Sequence, residues 1–234
     1  MIRRMAVIIP AADEEQRIGR CLAAVAAARR HLHHSNPAIA VRTIVVLDGC
    51  QDRTAMIATA SPGVQTVAVT AASVGAARRA GVDAALAGAG SPGELWLANT
   101  DADSLVPETW LRFMVAEARQ GAHLVLGTVT PGRDLGPQTR AEWLGRHHLR
   151  EGHPHVHGAN FGIRGDAYLA LGGWPPLVTG EDTELARRAA RTGHLRISRT
   201  ASIPVITSVR RDGRAPRGFS GYLRHIGTAT AEAR

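Results

Sequence analysis

Two carboxylates one residue apart, Asp101 and Asp103, follow directly on the apolar run Leu95 to Ala98. A short run of this kind reads as a buried strand. Acids at its carboxyl end stand where open α/β sheets collect their ligands. Alternate residues of extended backbone point the same way, so a bend there brings both sets of oxygens onto one hard cation. Such an ion keeps part of its shell for water and substrate phosphate. Taken alone, such a short pair is more often a solvated acidic loop or a helix N-cap.

A second acidic pair, Glu181 and Asp182, opens a helix through Leu185, Ala189 and Ala190. As first-turn acids both complement the helix dipole with no further role. His153, His155 and His157 alternate, so an extended backbone puts three imidazoles on one face. Zinc binding and the lining of a cleft are both open to them, although Pro154 disturbs the strand. His31, His33, His34, His147 and His148 read as solvated helix ends.

These groups must be positioned by a fold, and the composition bounds it. The chain has 234 residues, 44% apolar and 21% charged, as in a soluble globular protein. Aromatics are only 4%, so Ala, Val and Leu must fill most of the core. All basic side chains are Arg, which excludes Lys chemistry such as a Schiff base. A net charge of +8 and a pI near 11.1 favour anionic partners. The Arg residues are scattered and few aromatics accompany them, so no nucleic-acid partner is expected. Cys21 and Cys50 are too few for a disulfide framework, and a cytoplasmic setting is expected. The first apolar run stops at Pro10, too short for a signal peptide or a span, leaving at most peripheral membrane contact.

Strand and helix patterns alternate over the first 130 residues. Strands are expected at Met5–Ile9, Val41–Leu47, Val64–Val69, Leu95–Ala98 and Leu124–Val129. Helices are expected through Ile18, Leu22 and Val25, after an Asp52 N-cap, over Gly75–Leu86, and from Pro107 through Leu111 and Met114 to about Gly121. The alternation predicts an α/β, Rossmann-like, mostly parallel sheet with helices on both faces. Beyond residue 130 it fails. Pro131 to Pro137 reads as a loop, Gln138–Arg150 as a helix, His153–Arg164 as extended, and Leu195–Ser198 and Ile203–Ile206 as two short strands. The chain reads as one domain, 1–234, with a ligand-binding half to residue 130 and a second half with a basic C-terminal loop.

Five segments in this order resemble family 2 glycosyltransferases, which have the GT-A nucleotide-diphosphosugar transferase fold. Ile8-Ile-Pro-Ala-Ala-Asp-Glu-Glu15 is similar to the opening "IPAxNEE", with Asp13 in the usual Asn position. Val45-Val-Leu-Asp-Gly-Cys-Gln-Asp-Arg-Thr54 is similar to "VVDDGSxDxT", with Leu47 replacing the first Asp. Val74-Gly-Ala-Ala-Arg-Arg-Ala-Gly81 resembles "GxxxARNxG", Asp101-Ala-Asp103 the metal-binding "DxD", and Gly180-Glu-Asp-Thr-Glu-Leu185 the "ED" segment. Gly158-Ala-Asn160 and Gly172-Gly-Trp174 fit its acceptor-side signature.

The resemblance implies a metal-dependent, inverting transfer of a sugar from a nucleotide-diphosphosugar donor to an unknown acceptor hydroxyl, with Mn2+ or Mg2+. It implies that Pro10, Ala11 and Glu14 line the nucleotide pocket, that Asp48 contacts the base, and that Arg78 lies beside the nucleotide. Asp101 would face ribose and metal, Asp103 would hold the metal, and Asp182 would be the general base. His157, Gly158, Asn160, Trp174 and Glu181 would lie on the acceptor side. Arg210, Arg211 and Arg217, in a segment too rich in Gly and Pro for a helix, would either form a solvated loop or close over the diphosphate. His194 and His225 are candidates for a further metal ligand. Two other readings stay open: a nucleotide-sugar-binding protein without transferase activity, and a sugar nucleotidyltransferase.

Overall fold

The computed structural model describes residues 1–210 apart from 89, 133 and 148. Among these, eight strands form one sheet: β1 (Arg4–Ala11), β2 (Ala40–Asp48), β3 (Val64–Val69), β4 (Leu95–Asn99), β5 (Ser104–Leu105), β6 (Leu124–Pro131), β7 (Phe161–Arg164) and β8 (Ile197–Thr207). Their order across the sheet is β3-β2-β1-β4-β7-β6-β8-β5. The pairs β1–β2, β2–β3, β1–β4 and β6–β8 are parallel; β7 runs antiparallel to both its neighbours, and β5 to β8. The sheet is therefore mostly parallel, as the alternating pattern predicts.

The seven described helices are α1 (Ile18–Ser35), α2 (Thr54–Ala60), α3 (Val74–Leu86), α4 (Trp110–Arg119), α5 (Pro137–Arg146), α6 (Gly165–Ala170) and α7 (Glu181–Arg191). Because a strand's side chains alternate between faces, β1 feeds two cores. Met5, Val7 and Ile9 pack with Ile18, Leu22 and Val25 of α1 and Leu111 and Met114 of α4. Ala6 and Ile8 pack on the other face with Val82 of α3, Tyr168 of α6 and Leu185 of α7. Burial on both faces is what makes β1 read as an unbroken apolar run. Helix α3 lies close to the sheet because Gly81 has no Cβ: one built there would stand 2.6 Å from Ile8 Cγ2 and 2.8 Å from Val46 Cγ2.

Several expectations are corrected. Asp52 is not the N-cap of α2; that position is Arg53, and Asp52 Oδ1 accepts from Thr54 N at 2.9 Å while Oδ2 accepts from Glu15 N at 3.0 Å. Pro107 stands before α4 rather than in its first turn, and its carbonyl accepts from Trp110 N at 3.0 Å. Residues 197–207 form one strand, not two, because β6 shifts register between Gly127 and Val129 and lets β8 continue past the irregularity. Helix α5 ends at Arg146 rather than running to Arg150. The short β5 and α6 have no counterpart in the sequence reading.

Candidate active site

Strands β1, β2, β3 and β4 are parallel, so their carboxyl ends meet at one edge of the sheet. A cavity of about 710 Å3 opens there. Pro10, Ala11 and Glu14 come from the end of β1, Asp48 from β2, Ala72 and Ser73 from the turn after β3, and Asp101 to Asp103 from β4. The opposite wall is Val156, His157, Gly158 and Ala159 ahead of β7, and Gly180 to Thr183 at the start of α7. Residues some 170 positions apart thus face one space, which is why no local window of sequence shows the site.

Asp48 accepts from the backbone N–H of Ala71, Ala72 and Ser73 at 2.7, 3.1 and 3.3 Å. Ala72 has φ 48°, a left-handed conformation that costs a residue with a Cβ on the order of 1–2 kcal/mol. The carboxylate holds that strained turn in place. Asp13 also has positive φ, 52°, a region Asp and Asn tolerate better than other side chains. Its Oδ1 accepts from Gln51 N at 2.7 Å, joining the turns after β1 and β2.

Arg78 is buried, with 1% of its surface exposed. Its Nη2 donates to Asp101 Oδ1 at 2.5 Å and its Nε to Glu181 Oε1 at 3.2 Å. The guanidinium rests on Trp174, 5.5 Å from the ring centroid, and a Cβ at Gly158 would lie 2.5 Å from Nη2. Burial pushes the Glu181 carboxyl up, and Arg78 opposes that shift. The neighbouring Arg79 turns outward to the carbonyls of Trp174 and Gly172 at 3.4 and 3.3 Å. Asp182, next to Glu181, accepts from Gly158 N at 2.7 Å through Oδ2 and from Thr183 N at 2.6 Å through Oδ1.

Asp103 accepts from Ser208 Oγ at 2.9 Å. Arg210 reaches Asp103 Oδ2 at 3.4 Å and pairs with Glu14 Oε1. Burial pushes the Asp103 carboxyl up, as does nearby Asp101; burial also pushes Glu14 up. Glu14 Oε2 is buried and accepts no hydrogen bond, with Arg17 Nη1 3.7 Å away as an ion-pair partner.

The site suits a divalent cation. Six carboxylates (Glu14, Asp48, Asp101, Asp103, Glu181 and Asp182) but two guanidiniums (Arg78 and Arg210) are the charged groups described in its lining. A cation bound beside Asp101 and Asp103 would offset part of that charge. Among the described residues, no group of three or more His, Cys, Asp or Glu is arranged to hold a metal ion by itself. Two carboxylates with the remaining positions left to water and phosphate are the usual arrangement for Mg2+.

Not every singled-out residue reaches the cavity. Asn160 is fully buried: its amide donates to Thr128 O at 2.9 Å and Ile203 O at 2.7 Å, and accepts from Trp110 Nε1 at 2.9 Å. It ties α4 to β6 and β8. Trp174 is also fully buried, packed on Phe161 with ring centroids 4.8 Å apart. The histidines form a stack rather than a chelate. Trp143, His147 and His155 follow at centroid distances of 4.3 and 5.1 Å, and His155 lies 5.8 Å from His153 and 6.0 Å from His157. His147 and His157 line the cavity. His147 was expected at a solvated helix end; ring stacking draws it inward instead. Burial, then the neighbouring imidazoles, pull the His157 pKa down to about 3. His194 is exposed and bonds to Thr192 O. His148, Arg211, Arg217 and His225 lie outside the described residues.

No curated protein matches the chain significantly by sequence. Solved structures match it by shape. A fragment of S. aureus TarS superposes with a TM-score of 0.60 at 15% identity, covering 96% of this chain and 64% of that one. Against a longer S. aureus TarS structure the covered share falls to 39%, so the chain spans less than two thirds of these relatives. M. tuberculosis glucosyl-3-phosphoglycerate synthase superposes at 0.56 with 20% identity, covering 98% of this chain and 80% of that one. A structure of the same enzyme in complex with Mn2+, UDP and glucosyl-3-phosphoglycerate matches at 0.56 with 17% identity, covering 88% and 70%. At these identities the likeness establishes the GT-A fold. The sequence profile of glycosyl transferase family 2 spans residues 6–169, well over half the chain, and takes in the turns after β1, β2 and β4 that build the cavity. The chain belongs to glycosyl transferase family 2.

Proposed function

We propose that the chain transfers a sugar from a nucleotide-diphosphosugar to an acceptor hydroxyl, with Mn2+ or Mg2+ at Asp101 and Asp103 and Asp182 as general base. The observation that carries this reading is that Asp101, Asp103 and Asp182 open on one cavity at the carboxyl edge of the sheet. The relative of the same fold that is crystallised with Mn2+ and UDP adds support.

In this reading the ends of β1 and β2 bind the nucleotide, through Pro10, Ala11 and Glu14 and the turn that Asp48 holds. When bound, the cation offsets the charge that builds on the leaving diphosphate. Asp103 orients it, and Arg78 fixes the Asp101 carboxylate beside it. Asp182 sits across the cavity with both oxygens oriented by N–H donors. It takes the acceptor hydroxyl proton as that oxygen attacks the anomeric carbon. Attack from the side opposite the leaving group inverts the anomeric centre. His157 and Gly158 stand on the acceptor wall, where neutral imidazoles present ring surface rather than charge.

A thermal-shift screen of UDP-, GDP- and dTDP-sugars, each with and without Mn2+, tests the proposal. At about a hundredfold excess over Kd, a true donor should raise Tm by roughly 5–10 °C. The rise should need the metal. No shift with any of them would leave the cavity without its proposed donor.

A further inference from the structure

The C-terminal end of β8 is fastened to the Asp101–Asp103 turn at several points. β8 pairs with β5, the two residues directly after that turn. Ser104 Oγ donates to Thr207 Oγ1 at 3.1 Å, and Ser208 Oγ to Asp103 Oδ2 at 2.9 Å. Val209 packs on Trp143 of α5 with Leu135 and Leu149. With residues 207, 208 and 209 each anchored, Arg210 is delivered to one place, between Glu14 and Asp103.

The two carboxylates need a cation there. The Glu14 and Asp103 side chains are only 7% and 12% exposed. Buried carboxylates without a counter-charge are strongly unfavourable. Arg210 supplies one positive charge through two contacts, to Glu14 Oε1 and Asp103 Oδ2, while Arg17 stands 3.7 Å from the other Glu14 oxygen. A divalent ion ligated by Asp103 and a guanidinium touching the same oxygen would repel as like charges at close range.

We infer that Arg210 is the resident counter-ion of Asp103 and Glu14 in the unliganded chain, so that a divalent cation enters the site by exchange with this arginine. The inference rests on the reading of Asp103 as a metal ligand. Arg210 then acts as an internal competitor that weakens metal binding until a donor arrives. The displaced guanidinium stays at the cavity wall, where a diphosphate brings new oxygens that match its planar fork. Metal and nucleotide therefore bind together more readily than metal alone.

The test is Mn2+ binding to the chain without any nucleotide, followed by calorimetry and by the loss of the free Mn2+ paramagnetic signal. Wild type, Arg210→Gln, Arg210→Lys and Asp103→Asn are compared, with circular dichroism confirming that each is folded. Arg210→Gln should bind Mn2+ about tenfold more tightly than wild type, within the range usual for coupled sites. Arg210→Lys, which keeps the charge, should stay close to wild type. Equal or weaker Mn2+ binding by a folded Arg210→Gln overturns the exchange while leaving the metal site standing. Absence of Mn2+ binding in wild type and both Arg210 variants, with UDP added as well as without it, removes the metal-site reading, and the exchange with it.

Discussion

Gly158 donates its backbone N–H to the Asp182 carboxylate across 2.7 Å, joining the turn ahead of β7 to the first turn of α7. The acid is thereby held at the cavity wall by a group that side-chain substitution does not remove. Its neighbour Glu181 has a different place, turned inward to Arg78. Two adjacent acids that both border the cavity thus have separate partners, a backbone N–H for Asp182 and the Arg78 guanidinium for Glu181.

Asp182→Asn keeps the shape of the side chain and removes its basicity. Turnover should fall by about 10²- to 10⁴-fold, the usual contribution of a general base, with donor affinity nearly unchanged. Paired measurements of sugar transfer and donor binding check this. Wild-type turnover in the variant would take the role away from Asp182.

Arg78 tests the buried ion pairs. Arg78→Met leaves the buried Glu181 and the partly exposed Asp101 without their shared cation, and breaking the buried Glu181 pair costs about 3 kcal/mol or more. The loss should appear as a lower midpoint in urea unfolding. Adding Glu181→Gln, which removes the stranded charge, should restore part of it.

The histidine stack predicts a pH dependence. The His157 pKa is pulled from 6.5 to about 3 by burial and neighbouring imidazoles. Below its unfolded value the unfolded chain therefore takes up the proton more readily than the folded one. The stability His157 contributes is present above pH 6.5 and is lost as pH falls toward about 3. His157→Gln should flatten that part of the stability curve measured by chemical unfolding at a series of pH values. An unchanged slope would mean that His157 titrates freely in the folded chain.

The extent to which these features were legible follows from how local each one is. β1, β2, β4 and β6 were readable because strands buried on both faces leave continuous apolar runs such as Met5 to Ile9, whereas β3, half-buried at the edge of the sheet, was marked by its three Val residues. The antiparallel insertion of β7 between β4 and β6 left no such mark, since Phe161 to Arg164 acquires its partners only through long-range pairing. β5 is two residues long and exists because Thr207 and Ile206 lie beside it. In the candidate site, Asp101, Asp103, Glu181 and Asp182 stood out by type and spacing. The pairing of Arg78 with Glu181 and of Arg210 with Glu14 did not, because each joins residues more than a hundred positions apart. Gly158 could be quoted from a motif, but its reason, the Arg78 guanidinium 2.5 Å from where its Cβ would stand, is visible only in three dimensions.

The account turns on Asp103 holding a cation against the donor diphosphate. The most direct measurement is donor affinity of wild type and Asp103→Asn by calorimetry, each in saturating Mn2+ and in chelator. Wild type should bind the donor at least about tenfold more tightly with Mn2+ than without, and Asp103→Asn should lose that gain while matching wild type in chelator. Equal donor affinity of the two proteins in saturating Mn2+ would contradict it.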